Sequence, residues 1–170
     1  IDEVHVLPVR RQLKQEYGFG TSGATNPTQF TERRVGGKEK SMVTGDLNAA
    51  EVEWIVQYRI SDPNLYLFKV LDPAGTLRFV SESVMRTVVG DRTVDEVITI
   101  GRQEIEEDAR NRLEELVKRY ELGISIDQIQ LQNVNPPTPV QASFNEVNQA
   151  QQERERMINE ANGEYNKEVP

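Results

Sequence analysis

The most constraining feature of the sequence is the strict alternation of side chains over residues 51–60. Large apolar residues occupy one parity and polar residues the other, with Ile55 as the single exception. A period of two places the apolar set on one face of a β-strand, which needs a core to cover it, while the other face stays in water. The apolar positions are Val52, Trp54, Val56, Tyr58 and Ile60.

The sequence before this strand predicts further short strands and one long loop. Residues 40–44, followed by turn residues Gly45 and Asp46, predict a strand that forms a hairpin with it. Residues 3–17 predict one or two strands with an edge or a break at Pro8. Residues 18–37 are rich in Gly, Ser, Thr and Asn and predict a flexible loop.

Three helix starts follow the strand. Asp-Pro pairs at residues 62–63 and 72–73 each combine an N-cap acceptor with a proline at the first helical position, where the missing N–H costs nothing. Thr93 and Glu96 have the spacing of a capping box. The predicted segments are 63–69, 73–89 and a third that starts at residue 94 and breaks at Gly101.

The third helix is expected to be amphipathic and to end at Gly123, which suits a C-cap. Its apolar face comprises Ile105, Ala109, Leu113, Leu116 and Tyr120. Its wet face carries four acid-to-base pairs at i,i+4, which are Glu106–Arg110, Asp108–Arg112, Glu114–Lys118 and Glu115–Arg119.

A second strand after Gly123 changes phase. Ile124 and Ile126 share one parity, whereas Ile129 and Leu131 have the other, so we expect a β-bulge near residues 127–128. Strands followed by helices and another strand predict an α+β fold with an antiparallel or mixed sheet and packed helices.

The last helix, starting at Thr138-Pro139 and ending near Tyr165, carries a heptad seam. A lone helix with so thin an apolar stripe is marginal in water, so the pattern favours a partner helix and oligomerisation. The predicted oligomerisation seam consists of Val140, Phe144, Val147, Gln151, Arg154, Ile158, Ala161 and Tyr165.

Composition excludes several classes of chemistry. The chain has no cysteine and one histidine, His5, so thiolate sites, disulfides and imidazole clusters are ruled out within one chain. Its net charge of −8 disfavours nucleic acid as a partner. Residues 1–44 carry seven Lys/Arg against five Asp/Glu, so the N-terminal end is the one that an anionic bilayer would attract. No stretch approaches the roughly 18 apolar residues of a membrane span.

The remaining motifs have structural explanations that outweigh chemical ones. Residues 18–23 match G-x-G-x-x-G, but no helix is predicted after them, so a loop is favoured over a dinucleotide site. The acidic residues at 104–108 occupy helical positions paired with arginines. A calcium loop instead places its carboxylates on a tight turn that contains glycine. Trp54 and Tyr58 have the spacing of a strand core. We therefore predict no catalytic residue, no bound cofactor and no metal site.

The ordered set of motifs resembles the SPFH family (stomatin, prohibitin, flotillin and HflK/HflC), and within it the bacterial HflK-type members. The resemblance covers nearly the whole chain, although the loop at residues 18–37 is longer than expected. The residues that carry it are 42–46 (MVTGD), 52–62 (VEWIVQYRISD), 63–70 (PNLYLFKV), 77–90 (LRFVSESVMRTVVG), 93–97 (TVDEV), 110–114 (RNRLE), 120–124 (YELGI), 134–137 (VNPP) and the tail from residue 145 to 169.

The resemblance implies a domain organisation and a location. It implies an SPFH (band 7) domain over residues 1–135, with the loop at 18–37 inside it, and the start of a coiled-coil helix over residues 138–170. It also implies a transmembrane helix before Ile1 and a continuation of the coiled coil past Pro170. Such proteins sit in the bacterial inner membrane with this domain on the periplasmic side.

The resemblance also implies a function. Such proteins oligomerise with an HflC-like paralogue into a large ring or cage that encloses or gates the membrane protease FtsH, without being enzymes. Self-association is a further possibility. The alternative is a generic stomatin- or prohibitin-like scaffold of membrane microdomains that acts without FtsH. If the protein were an enzyme, its site would have to lie in the loop of residues 18–37. Calorimetry with a nucleotide would test this alternative, and we expect no binding.

Overall fold

The computed structural model describes residues 4–19, 29–30 and 39–168. It divides the chain into two compact units, residues 1–135 and residues 136–170. The first unit is a mixed α+β body, as the sequence predicts. Its elements are β1 (Leu13–Tyr17), β2 (Gln29–Phe30), β3 (Ser41–Val43), β4 (Ala49–Ile60), α1 (Pro63–Phe68), α2 (Pro73–Gly90), a π-helical turn (Glu96–Ile100), α3 (Arg102–Arg119) and β5 (Ile124–Asn135). The second unit contains one helix, α4 (Thr138–Glu168).

Strand β4 is the centre of the sheet. It pairs antiparallel with β1 and β3 along one edge and with β5 along the other, while β2 pairs parallel with β1. The alternation in β4 is confirmed, since all five predicted apolar side chains are buried and Ile55 is only half-buried. The hairpin of β3 with β4 is confirmed as well.

The N-terminal prediction is correct only in part. Of the one or two strands expected in residues 3–17, the structure has only β1, which starts at Leu13. Pro8 lies in a turn in which its carbonyl accepts from the N–H of Arg11. The chain before that turn does not pair with the sheet, and Val4 and Val6 are exposed. Most of the predicted loop lies outside the described residues, and at Gln29–Phe30 the chain forms β2 instead of loop.

The bulge predicted in β5 is present. Gln57 faces Gln128 and Tyr58 faces Ile126, so Asp127 is the extra residue. Its carboxylate lies 2.7 Å from the guanidinium of Arg59. A second register shift, which the sequence did not predict, lies between the pairs Val52–Val134 and Trp54–Leu131.

The predicted helix starts are confirmed by their hydrogen bonds. Asp62 accepts from the backbone N–H groups of Asn64 and Leu65, and Asp72 accepts from that of Gly75. Because these carboxylates satisfy N–H groups that the first helical turn leaves free, they fix where each helix begins. The expected break at Gly101 is also present, since the α-helix proper starts at Arg102.

The capping box forms, but the segment after it is not an α-helix. Glu96 accepts from the N–H of Thr93 at 2.8 Å and from its hydroxyl at 3.0 Å. These hydrogen bonds, the backbone one foremost, hold the pKa of the Glu96 carboxyl below its ordinary value. The residues that follow form a π-helical turn, closed by the N–H of Gly101 donating to the carbonyl of Glu96.

The end of α3 differs from the prediction. The helix ends at Arg119, and the turn after it uses two left-handed residues, Glu121 and Gly123. Gly123 is required for a close approach, since a Cβ there would come within 2.4 Å of the Asp62 carbonyl oxygen. The absence of a side chain at Gly123 therefore lets this turn pack against the start of α1. The C-cap of α3 is Tyr120, not Gly123 as predicted.

The core lies on one face of the sheet under α2 and α3. Helix α2 buries Leu77, Val84 and Val88 and leaves Val80 half-buried. On α3 the buried stripe repeats every four residues, so Leu116 is only half-buried and Tyr120 is exposed, contrary to prediction. The stripe consists of Ile105, Ala109, Leu113 and Val117.

A charged pair that the sequence did not reveal is buried beside the core. The Arg78 guanidinium lies 2.9 Å from the Glu39 carboxylate and 4.8 Å from the centre of the Tyr17 ring. Tyr17 in turn stacks on Trp54 with ring centres 4.6 Å apart. Glu39 also accepts from the N–H of Gly18, so the pair joins both ends of the segment between residues 18 and 39 to α2.

Candidate assembly interface

Helix α4 carries the predicted seam, and its composition explains why it is helical. It starts at Thr138-Pro139 and runs for 31 residues, in which six Glu, four Gln, three Ala and two Arg are good helix formers and outnumber the five weaker Asn. At 1.5 Å per residue it is roughly 45 Å long. The predicted helix is therefore present.

The seam side chains lie at the surface of α4. Val140 and Ile158 are 48% exposed, Val147 57% and Tyr165 67%. Burying one such aliphatic side chain stabilises a protein by about 1.5–3 kcal/mol relative to leaving it in water. A seam of this kind gains that free energy only when a partner covers it. Gln151, Arg154 and Ala161 are exposed too, and the side chain of Phe144 lies outside the described part.

Sequence reasoning missed one apolar residue of this surface. Met157 is 56% exposed and directly precedes Ile158, so it stands beside the seam. The signal that could have revealed it is its position three residues after Arg154, next to the seam line. Met157 widens the apolar strip in its C-terminal half.

The outer face of α4 pairs its charges within the helix. Arg156 lies 3.8 Å from Glu153 and 3.9 Å from Glu160. Such exposed pairs contribute only about 0.3–0.5 kcal/mol each. This face is therefore compatible with water, in contrast to the seam.

The edge of β5 is closed by α3. Glu106 and Glu114 accept from the backbone N–H groups of Leu131 and Ile126, each at 2.8 Å. Arg102 and Arg110 donate to backbone carbonyls of the same strand, namely those of Leu131, Gln132 and Asp127. The four α3 residues recur every fourth position and so share one helix face.

The predicted ion pair between Glu106 and Arg110 is wrong, and the same contacts bear on whether another chain could add a strand to β5. Glu106 and Arg110 both bind β5, whereas the other three predicted pairs on α3 form. An unprotected sheet edge is a template for strand addition. Because side chains occupy these N–H and C=O groups, the β5 edge is a poor site for pairing with another chain.

The described part of the glycine motif binds a carboxylate. Gly18 is buried, has φ +80, and donates its N–H to Glu39 at 3.0 Å. A phosphate site needs such an N–H free and facing an anion from outside. Residues 20–23 of the motif lie outside the described residues.

Three of the four carboxylates in the acidic run of α3 bind protein groups. Glu104 lies 3.2 Å from Arg92, Glu106 binds β5, and Asp108 lies 2.9 Å from Arg112. Within residues 4–19, 29–30 and 39–168, no three potential ligands form a group that could hold a metal ion. His5 is exposed in the segment before β1.

Trp54 and Tyr58 are core residues, as predicted. Both are buried, and the indole N–H of Trp54 donates to the Ser81 hydroxyl at 3.2 Å. Burial raises the pKa of Tyr58 to about 12. A phenol with that pKa stays protonated at neutral pH, so it serves as a hydrogen-bonding core group and not as a base.

Among the described residues, none of the helices combines the length and apolar character needed to cross a bilayer.

Comparison with known proteins identifies the fold family. The profile of the SPFH domain / Band 7 family matches residues 1–165. A protein named HflK from Treponema pallidum is 38% identical over the whole chain, and HflK from Borreliella burgdorferi is 36% identical over the whole chain. A protein named Modulator of FtsH protease HflK from Escherichia coli K12 is 36% identical over 76% of the chain.

The chain is shorter than these relatives. It spans 52% of the Treponema protein, 54% of the Borreliella protein and 31% of the Escherichia coli protein. The similarity over residues 1–165 therefore identifies the domain, and it includes most of α4.

Proposed function

The chain belongs to the SPFH domain / Band 7 family, and from that premise we propose that it is a non-catalytic scaffold subunit that assembles through α4 and modulates a membrane protease. The observation that carries the proposal is the exposed apolar seam of α4. A 31-residue helix that leaves Val147, Ile158 and Tyr165 in water has a surface suited to a neighbouring helix.

In this proposal each of the two compact units has its own role. Residues 1–135 form the SPFH body, and residues 138–170 are the start of a coiled coil. Parallel packing of many such helices would align the bodies side by side, and closure into a ring would form a wall around an enclosed protein. The chain would act sterically, without making or breaking a bond.

The proposed partners follow from the names of the relatives. One relative is named as a modulator of the FtsH protease, which supports FtsH as the protein that the assembly encloses or gates. We propose an HflC-like paralogue or further copies of this chain as the neighbours in the wall. The proposed location is the bacterial inner membrane, with the body on the periplasmic side and an anchor before Ile1.

Co-purification from detergent extracts tests this function. The full-length protein should retain FtsH, and Phe144→Ala together with Ile158→Ala should lose both the large assembly and FtsH. The matched control is Gln149→Ala together with Asn159→Ala, which shortens two residues off the seam and should retain both. A large assembly without FtsH would favour the microdomain scaffold instead. An intact assembly in the seam variant would contradict the proposal.

A further inference from the structure

One seam residue, Arg154, has a charge that its own helix does not pair. It is exposed and lies in the middle of the seam. On a helix, the neighbours of a side chain are three and four residues away. For Arg154 these are Ala150, Gln151, Met157 and Ile158, none of which is charged.

Arg156, two residues further along the helix, does have acidic neighbours, so the lack of them is specific to the seam position of Arg154. Arg156 has Glu153 three residues before it and Glu160 four residues after it, and it lies within 4 Å of both. Arg156 is off the seam and Arg154 is on it. The helix therefore supplies acidic partners for the arginine on its outer face. A partner for the seam arginine would have to come from another helix.

Packing the seam against a partner places Arg154 in a layer between helices. Subunits standing side by side in one orientation have parallel helices, in which equivalent heptad positions face each other. A guanidinium taken from water into such a layer needs a charge partner, because leaving it buried alone is strongly destabilising.

A second copy of the same helix meets this need poorly. It would place another Arg154 in the same layer, and two guanidinium groups repel. Glu155 flanks the layer, but pairing with it would draw both guanidinium groups out of the seam and leave the layer unfilled. The other polar seam residue, Gln151, can hydrogen-bond to a copy of itself, so only Arg154 discriminates between partners.

We infer that Arg154 selects the neighbour of α4: a parallel helix of a different chain with an apolar seam and a carboxylate in the layer that faces Arg154. This inference rests on the proposed function and names the partner chemistry of the same seam. A single charged residue in a heptad core is known to fix register and partner choice at a cost in stability.

A cross-linking competition tests the inference. The chain has no cysteine, so Ala161→Cys on the seam introduces a unique reporter. Wild-type and R154E chains, each with A161C and a different tag, are mixed and oxidised gently. We expect the mixed disulfide to exceed the same-chain disulfides by roughly tenfold or more, the ratio that coupling between close opposite charges produces. The matched control, R156E, reverses a charge off the seam and should leave a statistical mixture.

Two outcomes of this competition would overturn the inference about Arg154. Equal cross-linking of wild-type chains to themselves and to the R154E chain would overturn the inference and favour a second copy as the neighbour. The absence of cross-links in every mixture would overturn it as well. Where cross-links form equally, Ile158→Asp separates failure of the inference from failure of the proposed function: it should abolish cross-links in all mixtures, and cross-links that persist with it would mean that the seam is not the interface.

Discussion

The carboxylate of Glu106 accepts a hydrogen bond from the backbone N–H of Leu131 at 2.8 Å. The acceptor is on α3 and the donor is on the edge of β5, so a helix side chain takes the place of a neighbouring strand. Together with Arg102, Arg110 and Glu114, it occupies the edge of the sheet that faces α3. The proposed assembly must then use other surfaces, of which the α4 seam is the one with exposed apolar residues in heptad register.

Removing the Glu106 carboxylate should weaken the body. Glu106→Ala leaves the N–H of Leu131 without its acceptor in a half-buried place, so the free energy of unfolding should fall by about 1–3 kcal/mol. Glu107→Ala, on the exposed side of the same helix, should change it by less than about 0.5 kcal/mol. Urea denaturation of both variants measures the difference, and equal stabilities would contradict this role for Glu106.

The buried Arg78–Glu39 pair predicts a non-additive effect. Arg78→Met leaves the Glu39 carboxylate buried without its counter-charge and should cost about 3–5 kcal/mol. Adding Glu39→Gln removes that charge but keeps an oxygen for the N–H of Gly18, so the double variant should be more stable than Arg78→Met alone. Chemical denaturation of the two variants is the test. A double variant less stable than the single one would show that the charge is not what makes the loss large.

Two glycines should respond to alanine in opposite directions. Gly123→Ala forces a Cβ into the Asp62 carbonyl at φ +68, so the body should lose at least about 2 kcal/mol. Gly163→Ala meets nothing within 4 Å inside α4 and should gain about 0.5–1 kcal/mol of helix stability. Denaturation monitored by circular dichroism measures both. A tolerated Gly123→Ala would mean that the turn before β5 can move away from α1.

The capping box at Thr93 predicts a pH dependence. Hydrogen bonds from Thr93 lower the pKa of Glu96 below its ordinary 4.5, so they stabilise the fold above that value and are lost as the pH falls through the lowered pKa. Glu96→Gln does not titrate, so the stability advantage of the wild type over it should shrink in that acidic range. NMR titration gives a direct check, since Thr93→Val should raise the pKa of Glu96. An unchanged titration would show that the Thr93 hydroxyl does not contribute and would leave the backbone N–H of residue 93 as the cause.

Local features of the sequence were sufficient to predict most elements of the body. The alternation in β4 and the Asp-Pro pairs before α1 and α2 act through residues adjacent in the chain, so their consequences are visible without the fold. The phase change around Asp127 likewise indicated the bulge, because side-chain parity in a strand is a local property.

Features that depend on distant residues were not predictable in this way. The sequence places Glu106 and Arg110 at ion-pair spacing, but the edge of β5 offers each of them a backbone partner, and this competition depends on where the strand lies. Glu39 and Arg78 are 39 residues apart and read as ordinary surface charges until the fold buries them together. The seam of α4 was visible as a pattern, while the partner proposed to cover it belongs to another chain.

The most direct test of the account is the size of the purified full-length protein with one charge placed on or beside the seam. Ile158→Asp puts a carboxylate on the seam, and Asn159→Asp puts one on the adjacent position that faces away from it. Light scattering should show that Ile158→Asp breaks the assembly into small species while circular dichroism of the body is unchanged, and that Asn159→Asp assembles like the wild type. A full-sized assembly formed by Ile158→Asp would contradict the claim that α4 joins the subunits.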